Sequence, residues 1–232
     1  MLPPDLRSAE AQALAALQAA IRSDPTGRWT AELRFEGLKI LPLALRLAAG
    51  LVEGGLDLRL LFPDAGATAL AKRDAPALAP RIASLSDHLR SQAASGDATT
   101  GLPLLLVAPG LSDYEQVEGV NKGQAGPLLM LNGALEDAAV GIGSVARQRR
   151  KGFLATWNCA YSLIPLADAA LLRSFPEPWT LFRRNADGYR AVARFEQKPD
   201  AEQQALALRP DQAPSVADGL QALDRFLGSL SN

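Results

Sequence analysis

The stretch LLMLNGALEDAAVGIGSVARQRRKGFLATWNCAYSLIPL, residues 128–166, decides the fold. Its first four residues form an apolar run, which is typical of a strand that is covered on both faces of a sheet. An Asn-Gly turn at Asn132 ends that run. A second run, Phe153 to Leu163, is rich in Thr, Trp, Tyr and Phe and predicts a longer strand of a different type. The stretch therefore predicts a joint between the two halves of one sheet.

A glycine pair inside this stretch opens a basic segment, and three physical interpretations of that segment stay open. Glycines allow a backbone to approach an anion, and arginine offers planar paired donors to phosphate or carboxylate. The segment either forms a solvated basic helix, contacts an acidic protein partner, or holds a phosphate-bearing ligand. It matches neither a Walker A loop nor a dinucleotide-binding glycine motif. The residues concerned are Gly141, Gly143, Arg147, Arg149 and Arg150.

The N-terminal part of the chain alternates helix and strand patterns. Asp5 to Ser23 has apolar residues at helical spacing, with Asp5 as a plausible N-cap. Trp29 to Phe35 alternates apolar and polar residues, Leu41 to Val52 predicts a second helix, and Leu56 to Phe62 a second strand. Strand, helix and strand at this spacing predict a right-handed crossover and a mainly parallel sheet.

The middle of the chain continues this pattern. Ser91 to Gly101 has the composition of a loop, and Leu102 to Val107 predicts another strand covered on both faces. Pro109 to Val120 predicts a turn and a helix, with Ser112 as the expected N-cap and Glu115 as its capping-box partner.

Strand patterns of the antiparallel type follow. Ala169 to Phe175, Trp179 to Arg184 and Tyr189 to Phe195 predict strands, with a hairpin turn at residues 185–188. A polar loop precedes a final helix at Val216 to Leu227. The predicted fold is a three-layer α/β Rossmann-like domain with a mainly parallel sheet, which C-terminal antiparallel strands and a hairpin extend.

We expect one domain over residues 1–232. Residues 1–150 form its parallel βαβ part, residues 151–197 its antiparallel extension, and residues 198–232 its closing loop and helix. A chain of 232 residues with 48% apolar and 21% charged residues suits this organisation.

The composition argues against several functions. The net charge of -1 disfavours nucleic-acid binding. One cysteine, Cys159, and one histidine, His88, make a zinc site improbable, and no cofactor is expected. His88 lies in a polar stretch and is expected at the surface, outside any catalytic triad. No segment has the length of a membrane helix and the N-terminus lacks a signal-peptide pattern, so we expect a cytoplasmic protein.

Four further residues are candidates for a site. Asp64 follows a strand where α/β sheets bind ligands, and it either caps the next helix or takes part in chemistry. Asn132 ends a buried strand. Arg173 interrupts an apolar run, so it either lies on an open sheet face or pairs with a carboxylate such as that of Asp168 or Asp64. Trp179 either packs in the hairpin core or anchors a partner at an exposed sheet edge.

The order and spacing of several motifs resemble a domain-of-unknown-function family that cyanobacteria and plastids share. Its plant members include the chloroplast proteins named for low photosystem II accumulation, and a similar domain is appended to a chloroplast adenylate kinase. The resemblance runs from about Pro3 to Phe195. The turn at Asn132 is one residue longer here than the family's usual pattern. The motifs are FPDAGATALAKRD (62–74), LLLVAPGLSDYEQVE (104–118), the opening stretch (128–166) and ALLRSFPEPWTLFRR (170–184).

The resemblance transfers no catalytic residue, and it implies a context of oxygenic photosynthesis in a cyanobacterial form. We expect a non-enzymatic accessory protein that aids photosystem II assembly or maintenance by binding a photosystem or thylakoid membrane protein, peripherally at the thylakoid. The alternative is an α/β domain that binds or acts on a nucleotide or another phosphorylated metabolite.

Overall fold

A computed structural model describes residues 1–95, 101–135 and 153–209 of the chain. The strands are β1 (Arg28–Leu33), β2 (Arg59–Phe62), β3 (Ile82–Ser84), β4 (Leu104–Val107), β5 (Leu128–Leu131), β6 (Asn158–Pro165), β7 (Ala169–Ser174), β8 (Glu177–Asn185) and β9 (Gly188–Phe195). They form one nine-stranded sheet with the order β3-β2-β4-β5-β1-β6-β7-β8-β9. The first six strands pair in parallel, and β6 to β9 pair antiparallel.

Helices cover the sheet on both faces. The helices are α1 (Leu6–Ser23), α2 (Ile40–Glu53), α3 (Ala65–Asp74), α4 (Leu85–Ser95), α5 (Tyr114–Lys122) and α6 (Ala201–Ala207). Buried residues of α1, α2 and α3 share one core with the sheet, and this side is called the first face. Residues of α4 and α5 form a second core on the opposite side, the second face. The predicted three-layer α/β fold with an antiparallel extension is confirmed.

Strand β1 lies in the middle of the sheet and has one apolar side. Trp29, Ala31 and Leu33 are buried on the first face, whereas Thr30 and Glu32 alternate with them and are half-buried. The predicted one-sided strand is therefore confirmed, although it ends at Leu33 and not at Phe35. A central strand of this kind leaves polar side chains on the second face of the sheet.

Helix α1 packs closely because its buried stripe is made of small residues. Ala9, Ala13, Ala16 and Ala20 are each at most 1% exposed. In α2, a Cβ atom at Gly50 would lie 2.6 Å from the Leu14 side chain of α1, so the two helices leave no room there for a larger residue. Asp5 caps α1 as expected, because its carboxylate accepts a hydrogen bond of 2.7 Å from the Ser8 amide.

Arg28, the first residue of β1, holds the end of α5 against the sheet. Its guanidinium donates to the Asn121 side chain at 2.6 Å and to four carbonyl oxygens. A guanidinium has five N–H donors, and here each has an acceptor. The carbonyl oxygens belong to Thr26 (2.5 Å), Asn121 (3.4 Å), Gln124 (2.6 Å) and Gly126 (3.1 Å).

Three local predictions are wrong. The strand expected over Phe153 to Leu163 begins only at Asn158, because Phe153–Thr156 forms a 3₁₀ turn. Residues 91–95, expected in a loop, belong to α4. Ser112 does not cap α5, because residues Leu111–Asp113 form a 3₁₀ turn in which the Asp113 carboxylate accepts from the Gly110 amide at 2.7 Å. The helix expected at 216–227 lies outside the described residues, and the single-domain organisation stays a prediction.

The crossovers place the possible ligand crevices at the carboxyl ends of the parallel strands. The chain leaves β1 and β2 toward helices on the first face, and it leaves β4 toward α5 on the second face. Such reversals between neighbouring strands open a crevice at the strand ends. Asp64 follows β2 and Asn132 follows β5, so both lie along this edge, with β4 between their strands.

Candidate functional site

Asp64 serves as a helix cap. Its carboxylate accepts a hydrogen bond of 2.8 Å from the Ala67 amide, and its carbonyl oxygen accepts one of 2.7 Å from the Thr68 hydroxyl. The capping interpretation is confirmed, since the free N–H groups of α3 need such an acceptor. Its carboxylate is therefore engaged in local structure.

Asn132 extends the pairing of β5 and β1 with its side chain. Its carboxamide oxygen accepts from the Leu33 amide, and its carboxamide nitrogen donates to the Leu33 carbonyl, each at 2.8 Å. Its own amide donates to Ala31 at 2.8 Å. The residue has a φ of 49°, in the left-handed region that Asn tolerates. The side chain thus replaces the backbone of a further paired residue.

The turn after Asn132 has no room for a side chain at its second position. A Cβ atom at Gly133 would lie 2.4 Å from the sulfur of Met130. The Asn-Gly pair therefore ends the strand for two separate reasons, a left-handed backbone and a close contact. Both bear on the geometry of the turn.

Arg173 lies half-buried on β7 and binds backbone oxygens. Its Nε donates to the Cys159 carbonyl at 3.4 Å, and one terminal nitrogen donates to the Glu177 carbonyl. Its guanidinium also lies 5.8 Å from the centre of the Phe175 ring. Within residues 1–95, 101–135 and 153–209, Arg173 forms no ion pair with Asp168 or Asp64. The predicted carboxylate pairing is wrong for those two residues.

Polar side chains cross the second face at the centre of the sheet. Glu32 of β1 lies opposite Ser162 of β6, and Ser162 lies opposite Arg173 of β7. Cys159 lies opposite Thr30 beside this row. A carboxylate, a hydroxyl and a guanidinium thus follow one another on three neighbouring strands. The sequence showed each residue but not the register that aligns them.

The thiol of Cys159 is not activated for nucleophilic attack. Burial raises the pKa of Cys159 to about 12, although the Thr30 hydroxyl acts against this shift. A thiol with such a pKa stays protonated at neutral pH, and the thiolate is the reactive form. Cys159 is therefore not a candidate nucleophile.

Trp179 packs in the core of the antiparallel extension. It is 5% exposed and lies in a cluster with Ala169, Leu171 and Leu181. Lys198 lies 5.6 Å from the centre of its ring. The core-packing interpretation holds, whereas a docking anchor would need an exposed indole.

His88 is buried in α4, so its expected surface position is wrong. It is 4% exposed, and its Nε2 atom has no hydrogen-bond partner among the described residues. Burial, and to a lesser degree the charge of Arg59, lower the pKa of the imidazole. His88 is thus a neutral core residue at neutral pH. The described part of the chain holds no cluster of three acidic, His or Cys side chains that would suit a metal ion.

The basic segment with Gly141, Gly143, Arg147, Arg149 and Arg150 lies outside the described residues. Its flanks are described on the second face. Leu135 is buried beside α5, and the Phe153 ring meets the Tyr114 ring edge-on at a centroid distance of 5.1 Å. The chain therefore enters and leaves this segment from the second core.

A surface groove of about 560 Å³ lies where α1 and α2 begin, beside the carboxyl end of β1. Leu6 and Phe35 in its lining are 39% and 38% exposed. Sequence reasoning did not identify this groove; the available signal was an apolar residue at the first position of α1, Leu6, and another just beyond the end of β1, Phe35. The lining comprises Pro3–Leu6, Phe35–Lys39, Pro42 and Arg46.

An ion pair joins α1 and α2 beside the groove. Arg46 of α2 donates to both carboxylate oxygens of Glu10 of α1, at 2.8 and 2.5 Å. Gly37 has a φ of 72°, which lets the loop after β1 turn back toward α2. Lys39 completes the rim and has no ion pair within the described residues. The groove thus combines an apolar floor with a charged rim.

The fold and this edge define a three-layer α/β domain with an antiparallel extension and an exposed groove. The family model for the domain of unknown function DUF1995 matches residues 3–206, so the chain belongs to that family. No curated protein and no solved structure matches the chain significantly. In the ranges that the structure describes, no helix is both long and apolar enough to cross a membrane.

Proposed function

We propose that this protein is a non-enzymatic accessory factor of oxygenic photosynthesis, which binds a protein partner during photosystem II assembly or maintenance. The observation that carries the proposal is the apolar groove between the first turns of α1 and α2. Exposed apolar residues that line one recess are typical of interaction sites. Leu6 and Phe35 supply the apolar contact, and the charges of Asp5, Glu36 and Lys39 at the rim fix orientation.

The chemistry of the described residues supports binding more than catalysis. Cys159 stays a thiol, His88 is a buried neutral imidazole, and the Asp64 carboxylate caps a helix. These were the groups with the most evident potential for nucleophilic or acid-base chemistry. Membership in DUF1995 does not point to any particular reaction. The photosynthetic context rests on the resemblance of the sequence motifs.

Capture from solubilised thylakoid membranes tests the proposal. Wild-type protein on a resin should retain photosystem II subunits, and the double variant Leu6→Ser, Phe35→Ser should lose them. Leu70→Ser is the matched control, because Leu70 is 45% exposed on α3 and does not line the groove. Circular dichroism checks that each variant is folded. A deletion strain should accumulate less photosystem II.

Two results together would refute the role. They are a resin that recovers no photosystem subunit and a deletion strain with normal photosystem II levels. If the Leu70 and groove variants lose equal amounts of photosystem II subunits, the groove is not the contact surface. The deletion strain would then decide the cellular role by itself.

A second function, binding of a phosphorylated metabolite, is favoured by one observation. The basic segment follows β5 in the sequence, and β5 lies between β4 and β1 in the sheet, where α/β sheets bind ligands beyond the carboxyl ends of their strands. Thermal-shift measurements against phosphate compounds test it, since a ligand at 100 times its Kd adds about 2.7 kcal/mol. Arg147→Ala and Arg150→Ala should abolish the shift. A flat response in the wild type would eliminate this function.

A further inference from the structure

Among the residues that the structure describes, the last strand of the sheet has an open edge. β9 is eight residues long and pairs only with β8, and within the described residues no other backbone group bonds to it. At the opposite end of the sheet, β3 has three residues. An unpaired edge presents a row of N–H and C=O groups that another extended chain can bind.

The hairpin of β8 and β9 is basic, although the whole chain carries a net charge of -1. The hairpin contains four arginines and two acidic residues, and one of the arginines, Arg190, pairs with Asp187. Arg184 and Arg194 are exposed and have no acidic partner within the described residues. Both strands of the hairpin therefore carry uncompensated positive charge.

Arg184 and Arg194 lie on the same face of the hairpin. Thr180 is opposite Arg194 in the register, and Thr180 and Arg184 are separated by an even number of residues along β8. Arg184 is itself opposite Tyr189, which is 47% exposed. An exposed aromatic ring beside Arg184, with Arg194 further along β9 on the same face, is thus available to a partner.

We propose that the β9 edge binds an extended acidic segment of another protein as a tenth strand, with carboxylates that pair with Arg184 and Arg194. Main-chain hydrogen bonds supply the general affinity, and the charges select the partner. An acidic segment is favoured over a second copy of this chain, because a second copy would bring further arginines to a hairpin that already carries uncompensated positive charge.

The shape of β9 limits the length of the bound segment. The register between β8 and β9 shifts at Leu181 and Phe182, so Val192 is an extra residue in β9. Such a bulge interrupts a ladder. Residues Gly188–Ala191 before the bulge are all exposed and form a short continuous edge, and Arg194 lies past the bulge, so the bound segment must cross the bulge to reach it.

Fluorescence anisotropy with synthetic peptides tests the proposal. The probe is a labelled peptide of about eight residues in which Glu alternates with Val, a length matched to strand addition. One control peptide has Gln in place of Glu, and another keeps the charges but carries N-methyl groups on alternate amides. We expect the first peptide to bind and both controls to bind far more weakly.

Protein variants locate the binding surface. The double variant Arg184→Ala, Arg194→Ala should weaken binding by about threefold to tenfold, as expected for two exposed ion pairs. Arg22→Ala is the matched control, because Arg22 is an exposed arginine in the last turn of α1. It should leave the affinity unchanged.

Four results would each overturn the inference. They are no binding of the acidic peptide, equal binding of the Gln peptide, equal binding of the N-methylated peptide, and equal losses in the Arg22 and hairpin variants. Anionic lipid vesicles or RNA that displace the peptide and bind more tightly would reassign the surface. The assay uses purified protein and synthetic peptides, so its result is independent of the proposed photosystem role and of the groove.

Discussion

A single carboxamide joins two strands of this sheet beyond the point where their backbones stop pairing. Asn132 reproduces with its side chain the donor and acceptor that a further residue of β5 would offer to Leu33. The oxygen and nitrogen of the carboxamide are both needed, because one accepts while the other donates. This explains why an amide, and neither a carboxylate nor a hydroxyl, suits the position.

We predict that Asn132→Asp lowers the free energy of unfolding by about 1–3 kcal/mol, because a carboxylate cannot donate and would face the Leu33 carbonyl. Asn132→Gly is the informative comparison, since glycine accepts the left-handed backbone but lacks both hydrogen bonds. Urea unfolding measures both. An Asp variant as stable as the wild type would show that the carboxamide nitrogen contributes nothing.

The buried imidazole of His88 predicts a loss of stability on acidification. Its pKa in the folded protein is lowered by burial and by Arg59, so the unfolded chain binds a proton at a higher pH than the folded chain does. Stability therefore falls as the pH drops from the unfolded value of about 6.5 toward the lowered one, by at most about 1.4 kcal/mol per pH unit.

The variant His88→Leu should show a flatter pH dependence in that window, measured by urea unfolding at several pH values. Asp87 does not interfere, because hydrogen bonds from Ser84 and Arg90 lower its pKa and confine its titration to more acidic conditions. Identical slopes for wild type and variant above about pH 5 would contradict the prediction.

At the scale of elements, the position of α5 depends on one side chain of β1. Arg28 satisfies carbonyl oxygens at the end of α5 and in the turn that leads to β5. Helix ends leave such oxygens without partners, and a guanidinium supplies several donors in one plane. Gly126 adds a second constraint there, since a Cβ atom would lie 2.2 Å from the Gly101 carbonyl oxygen.

Arg28→Lys is predicted to destabilise the protein by about 2–4 kcal/mol, because an ammonium group offers three donors and lacks the planar fork. Arg22→Lys, at an exposed position of α1, should change stability by about 0.5 kcal/mol or less. Thermal or urea unfolding compares them. Equal effects of the two substitutions would contradict the proposal that Arg28 holds the end of α5 against the sheet.

The sequence predicted those helices and strands whose pattern of apolar and polar residues is clear within the element itself. The runs that became β4 and β5 are apolar on both faces, and Asp5 and Asp64 stand where caps are expected. Helix α4 was not predicted, and its last residues were assigned to a loop, because this polar stretch has few apolar residues at helical spacing. Its N-terminus is held by Ser84, which accepts from the Asp87 amide at 3.1 Å, and its packing comes from α5.

The candidate surfaces were less predictable for a different reason. A cap or a turn depends on neighbours in the sequence, whereas the groove depends on how the starts of α1 and α2 approach each other. Leu6 continues the apolar stripe of α1 yet lies where none of the described elements covers it. The row of Glu32, Ser162 and Arg173 similarly depends on the register of three strands.

At the scale of the whole molecule, the antiparallel extension shares its core with the parallel part. Leu172 of β7 and Phe182 of β8 belong to the same buried cluster as Trp29 and the alanines of α1. The extension also has a small core of its own around Trp179 on the second face. One continuous sheet and one shared core predict that the two parts unfold together.

Tryptophan fluorescence can test this cooperativity, because Trp29 reports on the parallel part and Trp179 on the extension. In a Trp157→Phe background, variants that keep only one of these two indoles should show coincident urea midpoints. Phe182→Ala removes a ring that is 7% exposed and should cost about 3–5 kcal/mol, so both midpoints should fall together. An earlier transition at Trp179 than at Trp29 would show that the extension unfolds as a separate unit.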